Sequence, residues 1–103
     1  MEDRCVSLVI HGRVQGVFYR ASARTAGAKL GLRGWVWNRY DGTVEAIAGG
    51  PSVDIESYIA WCHKGPPAAN VARIELRGAE DDGSLGTSFD VREDLQIQSE
   101  TPA

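Results

Sequence analysis

The apolar residues of this chain repeat with two different periods, and the order of these periods restricts the possible folds. Residues 5–11 are rich in β-branched and apolar side chains whose alternate members share one face, which predicts a strand. Residues 18–30 change to helical spacing, with apolar positions three and four apart. Gly31 is expected to end this helix, with Leu32 as its hydrophobic contact. A strand followed closely by a helix therefore opens the fold.

Two short β-rich segments come next. They cover residues 32–39 and 43–48, and the dipeptide Asp41-Gly42 between them is typical of hairpin turns. We therefore expect these two strands to pair antiparallel.

A second helix is expected between residues 49–52, which open it, and residues 65–67, which stop it. Charged side chains match the helix dipole at both ends, acidic at the start and basic at the finish: Asp54, Glu56, His63 and Lys64. An apolar stripe follows one face: Ile55, Tyr58, Ile59 and Cys62. Cys62 is thus expected to be a small core residue.

The last elements are shorter. Residues 71–77 alternate as a strand does, and residues 88–92 indicate a weaker fifth strand. The order β-α-β-β-α-β predicts an α+β fold of the ferredoxin-like α/β sandwich type, with an antiparallel sheet and both helices on one face. We expect a single domain over residues 1–92 and a polar C-terminal tail over residues 93–103.

Size and composition exclude several classes of protein. A chain of 103 residues corresponds to one domain, and its longest early apolar run, residues 6–10, is far below the roughly 20 residues of a membrane-spanning helix. The N-terminus lacks the features of a secretory signal, so we expect a cytoplasmic protein. Cys5 and Cys62 lack CxxC spacing and are expected to be free thiols. No heptad stripe or long apolar edge is visible, which favours a monomer.

Charge is distributed unevenly along the sequence. The net charge is −3, yet residues 1–40 hold seven Arg or Lys and two acids, whereas residues 41–103 hold four and twelve. The acidic balance argues against nonspecific binding to nucleic acid. The basic first part can still form a local site for a small anion.

Two common catalytic arrangements find little support. His11 and His63 stand alone in their segments, so no metal site is expected. The sequence has no Gly-x-Ser-x-Gly elbow, although a Ser-His-Asp or Cys-His arrangement assembled by the fold stays open.

The segment most suggestive of chemistry is residues 12–20, a glycine-bearing loop between a strand and a helix N-terminus. Free N–H groups there, the helix dipole and the Arg20 guanidinium can together hold an oxyanion. A cation in the first turn opposes the dipole at a cost of about 0.3 to 1 kcal/mol, which a bound anion would offset. From the residues alone, a plain turn with a solvated Arg20 explains the pattern equally well.

This segment resembles the first signature of the acylphosphatase family, Gly-x-Val-Gln-Gly-Val-x-Phe-Arg. The matching positions are Gly12, Val14, Gln15, Gly16, Val17 and Arg20, with Tyr19 replacing one aromatic residue by another. Residues 34–44 and Gly50 are similar to the second signature, in which Trp37 is unusual. Further matches at residues 30–32, 61–62 and 65–67 extend the resemblance over about residues 5–92.

The resemblance implies hydrolysis of the carboxyl-phosphate bond of acyl phosphates, giving a carboxylate and inorganic phosphate, with no metal or organic cofactor. By the same resemblance the phosphate is expected to be held by Gln15, Gly16, Val17, Phe18, Tyr19 and Arg20. Arg20 would be the clamp, and Asn38 would position the attacking water. Because a carboxylic acid has a pKa near about 4, the leaving group needs no general acid.

Three other functions are weighed against this one. A nucleic-acid module would need stacking aromatics on the central strands, where the sequence offers Ser7, Val9, His11 and Glu45. A regulatory module without activity is disfavoured because Arg20 and Asn38 are both present. The third function is that of related domains that act on carbamoyl phosphate. These domains stand at the start of the hydrogenase-maturation proteins, which are much longer chains. The particular acyl phosphate stays open.

The remaining conspicuous residues have simpler expected roles. Packing is the expected role of the three tryptophans, Trp35, Trp37 and Trp61. Arg13 and Arg24 are expected to be solvated surface charges.

Overall fold

The computed structural model describes residues 2–81 and 83–92. The strands are β1 (Asp3–Arg13), β2 (Arg33–Asn38), β3 (Val44–Pro51), β4 (Asn70–Gly78) and β5 (Phe89–Val91). The helices are α1 (Tyr19–Lys29) and α2 (Ser52–Lys64). The polar tail predicted for residues 93–103 lies outside the described residues.

The five strands form one sheet in the order β4-β1-β3-β2-β5. The pairs among β1 to β4 are antiparallel, as predicted, whereas β5 runs parallel to β2 and makes the sheet mixed. The chain leaves β4 at one end of the sheet and enters β5 at the opposite edge from that same end, so β5 must run in the direction of β2. The α+β fold of ferredoxin-like type is confirmed.

The core lies between the sheet and the two helices. Val6, Leu8 and Ile10 are fully buried on the helix side of β1, as their alternation predicts. Tyr19 and Tyr58 reach this core from α1 and α2. Packing one apolar face of the sheet against both helices leaves the other face free of helices. No helix among the described residues is long and apolar enough to cross a membrane.

Helix α1 ends as its sequence predicts. The N–H of Gly31 donates to the carbonyl of Ala28 and the N–H of Leu32 donates to the carbonyl of Gly27, both at 3.0 Å. This pair of bonds is the Schellman motif. Gly27 itself has a packing reason, because a Cβ there would lie 2.8 Å from the ring of Phe89. A residue of poor helix propensity thereby lets β5 approach α1.

Helix α2 begins later than the sequence suggests. The prediction that residues 49–50 open the helix is wrong, since β3 continues to Pro51 and α2 starts at Ser52. Asp54 lies in the first turn as expected, whereas Glu56 lies beyond it and pairs with Arg4. His63 and Lys64 occupy the last turn, as expected.

Cys62 is fully buried on the core side of α2, as predicted. Burial raises the pKa of its thiol to about 12. The Tyr19 hydroxyl donates to the carbonyl oxygen of Cys62 at 2.6 Å and so ties α1 to α2. This thiol is a packing group that stays protonated at neutral pH.

Candidate active site

The loop between β1 and α1 begins at an irregularity in the sheet. The register of β1 against β4 shifts between His11 and Gly12. A side chain at position 12 would overlap the backbone of Asn70, so only glycine allows the two strands to stay this close. Such a bulge bends a strand and redirects the chain that follows it. Here the following chain is the glycine-bearing loop.

Left-handed backbone conformations shape this loop. Gly16 has φ 75° and Phe18 has φ 64°, and Phe18 is the only non-glycine residue with positive φ in the described part of the chain. A left-handed residue with a side chain costs about 1 to 2 kcal/mol, and such strain is concentrated at functional sites. Alternating conformations of this kind turn successive N–H groups toward one point, which forms an anion-binding concavity.

The N–H groups of the loop are available to a ligand. Among the hydrogen bonds of residues 2–81 and 83–92, none uses the backbone N–H of Gly16, Val17, Phe18 or Tyr19 as its donor. Tyr19 is the first residue of α1, so the helix dipole adds positive potential at the same point. The loop and helix start together can hold one oxyanion.

Arg20 follows in the first helical turn, which contains no acidic residue. Its Nη1 donates to the carbonyl oxygen of Arg92 at 3.3 Å. The N–H of Arg92 in turn donates to the carbonyl of Val36 at 2.9 Å. Arg92 thus links the guanidinium to strand β2, two residues before Asn38.

Asn38 is the last residue of β2, and strand alternation puts its side chain on the same face of the sheet as Val36. Its Oδ1 atom is buried and has no hydrogen-bond partner among the described residues. A buried acceptor without a donor is costly, so such groups bind water or ligand in most proteins. An unsatisfied amide oxygen therefore lies at the end of β2.

Gln15 fixes the loop against the hairpin that follows Asn38. Its Nε2 donates to the carbonyl oxygens of Arg39 and Thr43, each at 2.9 Å. Because both N–H donors of its side-chain amide are engaged within the protein, only its backbone N–H can donate to an anion. Sequence reasoning missed this link, since the two partners are 24 and 28 residues away and no local pattern indicates them.

The hairpin turn has the chemistry that Asp41-Gly42 predicts. Oδ1 of Asp41 accepts hydrogen bonds from the Thr43 hydroxyl at 2.6 Å and the Thr43 N–H at 3.0 Å. These two bonds lower the pKa of Asp41 below its ordinary value. The carboxylate therefore belongs to the turn, which keeps Asn38 and the carbonyl acceptors of Gln15 in place.

The loop, Arg20 and Asn38 lie at one end of the sheet, because Ile10 of β1 and Asn38 of β2 both pair with Val44. The side chains of Val17 and Tyr19 are buried, so these residues offer only their backbones, whereas Phe18 is exposed. Sequence reasoning also missed Arg92, whose carbonyl receives Arg20. Arg92 directly follows β5, a short strand whose sequence pattern is weak, so no local signal marks it as a partner of Arg20.

The tryptophans pack as expected. Trp37 lies on the face of β2 opposite Asn38 and stacks on Trp35, with ring centroids 6.1 Å apart. The Arg92 guanidinium lies 3.7 Å above the Trp35 ring. Trp61 packs against Tyr19, with ring centroids 5.5 Å apart. The bulk of Trp37 therefore stays off the Asn38 side of the sheet.

The residues and surfaces around the site were also predicted in part from the sequence. Arg13 and Arg24 are exposed, as predicted. Within the described ranges, His, Cys, Asp and Glu form no group of three or more that could hold a metal ion. A groove of about 940 Å³ runs between α1 and α2 along residues such as Lys29, Trp61 and Lys64, and it includes none of the loop residues.

Comparison with known proteins gives a consistent result. The family model described as Acylphosphatase matches residues 6–91. A curated acylphosphatase from Azoarcus sp. strain BH72 is 58% identical over 72 residues, 70% of this chain and 74% of that one. A second, from Anaeromyxobacter dehalogenans, is 44% identical over 93 residues, 89% of this chain and 99% of that one. The solved structure of an acylphosphatase from Coxiella burnetii aligns with a TM-score of 0.79 at 36% identity, covering 87% and 93% of the two chains.

Proposed function

The chain belongs to the acylphosphatase family and is a hydrolase of acyl phosphates, and from this premise we propose how its own residues carry out the reaction. The backbone N–H groups of residues 15–20 hold the phosphate of the substrate. The Arg20 guanidinium clamps two of its oxygens, and Asn38 positions the water that attacks phosphorus. The products are a carboxylate and inorganic phosphate.

The reaction needs few protein groups, because its leaving group is stable and the transfer step requires mainly positioning and charge stabilisation. The leaving carboxylate is stable without protonation, since its conjugate acid has a pKa of about 4. Phosphoryl transfer depends chiefly on positioning and on stabilising the charge of the equatorial oxygens. Oriented amides and one forked guanidinium supply both.

Asn38 acts as an acceptor for the water and not as a base. A neutral amide has little basicity, so its Oδ1 accepts one hydrogen bond from the water and aims the oxygen lone pair at phosphorus. The water proton is transferred to an oxygen of the substrate. The water oxygen forms the new bond to phosphorus as the carboxylate oxygen leaves.

A single observation carries this proposal. The unused N–H groups at Gly16 to Tyr19 and the unsatisfied Oδ1 of Asn38 are held at one end of the sheet by the Gln15 bridge. Donors are thereby offered to an anion and an acceptor is offered to a water, as attack by water on a phosphate group requires.

The test is hydrolysis of acetyl phosphate by the purified full chain in excess chelator. We expect metal-independent turnover that falls on the order of 10³-fold or more in Arg20→Ala. Asn38→Ala should lower kcat strongly while inorganic phosphate still inhibits competitively, because the water is lost and the cradle stays.

Two results would contradict the proposal. Turnover that chelator abolishes would indicate a metal requirement, and near-normal kcat in Asn38→Ala would remove the asparagine from the mechanism. Arg24→Ala, on the exposed side of the same helix, is the matched control and should retain full activity. Because one chain supplies all the proposed groups, activity per molecule should not depend on protein concentration.

A further inference from the structure

Phe18 is a residue that folding does not explain. Its side chain is 81% exposed, more than any other large apolar side chain among the described residues. Its φ of 64° lies in the region that glycine and asparagine tolerate best. Neither burial in the core nor the local backbone conformation favours phenylalanine at this position.

Its location relates it to the proposed phosphate cradle. Consecutive Cα atoms are about 3.8 Å apart, so the Phe18 ring is attached within one residue of the free N–H groups of Val17 and Tyr19. A phosphate held by these groups has its acyl substituent on the side away from the loop backbone, toward solvent. The Phe18 ring extends from this same loop into solvent.

We propose that Phe18 is a specificity-determining residue that contacts the acyl group of the substrate. The inference rests on the phosphate-binding role of the loop proposed above. An aromatic or extended apolar acyl group covers the ring and removes apolar surface of both partners from water. An acetyl group is too small to cover it. The chemical class favoured is therefore acyl phosphates with aromatic acyl groups.

The test compares benzoyl phosphate with acetyl phosphate as substrates of the full chain. The measured quantity is the ratio of their kcat/KM values in the wild type, Phe18→Asn and Phe18→Tyr. Asparagine tolerates the left-handed conformation but removes the ring, whereas tyrosine keeps the ring. Differences in leaving-group chemistry, and any loss common to both substrates, cancel when the ratio is compared between variants.

We expect the benzoyl-to-acetyl ratio to fall about fivefold in Phe18→Asn, within the range of one aromatic contact, and to be retained in Phe18→Tyr. The matched control is Val53→Ala, which removes an exposed apolar side chain, 61% exposed, from the start of α2 at the other end of the sheet. Its ratio should equal that of the wild type.

An unchanged ratio in Phe18→Asn, or an equal fall in Val53→Ala or Phe18→Tyr, would overturn the inference while leaving acyl phosphate hydrolysis intact. If Phe18→Asn is too slow to assay, NMR titration gives its affinities for phenylphosphonate and methylphosphonate. The ratio of these two affinities is then compared with the wild-type ratio, and an unchanged ratio would again overturn the inference. Failure of the phosphate cradle itself gives a different result, in which Arg20→Ala hydrolyses both substrates as fast as the wild type.

Discussion

Arg20 lies in the first turn of α1, a turn that contains no acidic residue. An anion bound at this end of the helix is attracted by the helix dipole and by the guanidinium together. The carbonyl of Arg92 accepts one hydrogen bond from the guanidinium. A planar guanidinium can direct two parallel N–H donors at a phosphate while it keeps such an anchor, which a lysine ammonium cannot do.

Arg20→Lys should therefore lose at least about tenfold in kcat/KM for acetyl phosphate, although the charge is retained. Arg24→Lys makes the same change on the exposed side of α1 and should leave kcat/KM unaltered. Steady-state kinetics of both variants, with circular dichroism to confirm folding, provide the measurement. Full activity in Arg20→Lys would show that a point charge suffices and that the bidentate clamp is incorrect.

At the scale of elements, the site depends on contacts between segments distant in the sequence. Gln15 joins the loop to the β2-β3 hairpin, and Arg92 joins α1 to β2 through β5. Asp41 stiffens the hairpin turn by accepting both bonds from Thr43. The loop and the end of β2 therefore hold a fixed relative position before any ligand binds, and such preorganisation increases electrostatic stabilisation of a transition state.

Gln15→Met tests this bridge, because methionine has a similar shape and no N–H donor. The carbonyl oxygens of Arg39 and Thr43 each lose one of two donors and keep a backbone N–H, from Gly42 and Arg39 respectively, so we expect a loss of about 1 kcal/mol in the free energy of unfolding. The loop also loses its anchor, so KM for acetyl phosphate and the inhibition constant of phosphate should rise. Urea unfolding and phosphate inhibition are the measurements.

Gln15→Glu is the companion variant. Its free energy of unfolding and its affinity for phosphate should both be lower than those of Gln15→Met, because its carboxylate faces two carbonyl oxygens. If Gln15→Met kept wild-type stability and phosphate affinity, the bridge would have no part in holding the loop.

Local signals explain which elements the sequence could predict. The Asp41-Gly42 turn and the Gly31 helix end depend on neighbours within a few residues, and both form as expected. The parallel direction of β5, the contact of Gly27 with Phe89 and the Gln15 bridge depend on distant segments, which no periodicity encodes. The roles of residues 15–20 and Asn38 came from resemblance to a family signature, and they stay predictions until the variants are assayed.

At the scale of the whole molecule, three weak acids are buried where the two helices meet the sheet. Burial raises the pKa values of Tyr19 and Tyr58 above their ordinary 10.0 and that of Cys62 from 9.0 to about 12. The two tyrosine hydroxyls donate to backbone carbonyl oxygens, that of Tyr19 to Cys62 and that of Tyr58 to Ala23. All three groups are neutral in the native state, and all three can ionise freely once the chain unfolds.

The sign of the resulting pH dependence follows from proton binding. Above the ordinary pKa of a thiol, 9.0, the unfolded chain loses a proton that the native state keeps until about pH 12. Each proton released only by the unfolded state lowers stability by about 1.4 kcal/mol per pH unit. The free energy of unfolding should therefore be nearly independent of these groups below pH 8 and should fall between pH 9 and 11.

Tyr19→Phe separates this effect from general alkaline sensitivity. At pH 7 the variant loses the hydrogen bond to the Cys62 carbonyl, at a cost of about 1 kcal/mol. Above pH 10 it lacks one of the three ionising groups, so its stability should decline less steeply and the difference from wild type should narrow. Urea unfolding at pH 7, 9, 10 and 11 measures both quantities. Parallel declines in the two proteins would mean that the Tyr19 phenol ionises as readily in the native state as in the unfolded chain, contrary to its burial.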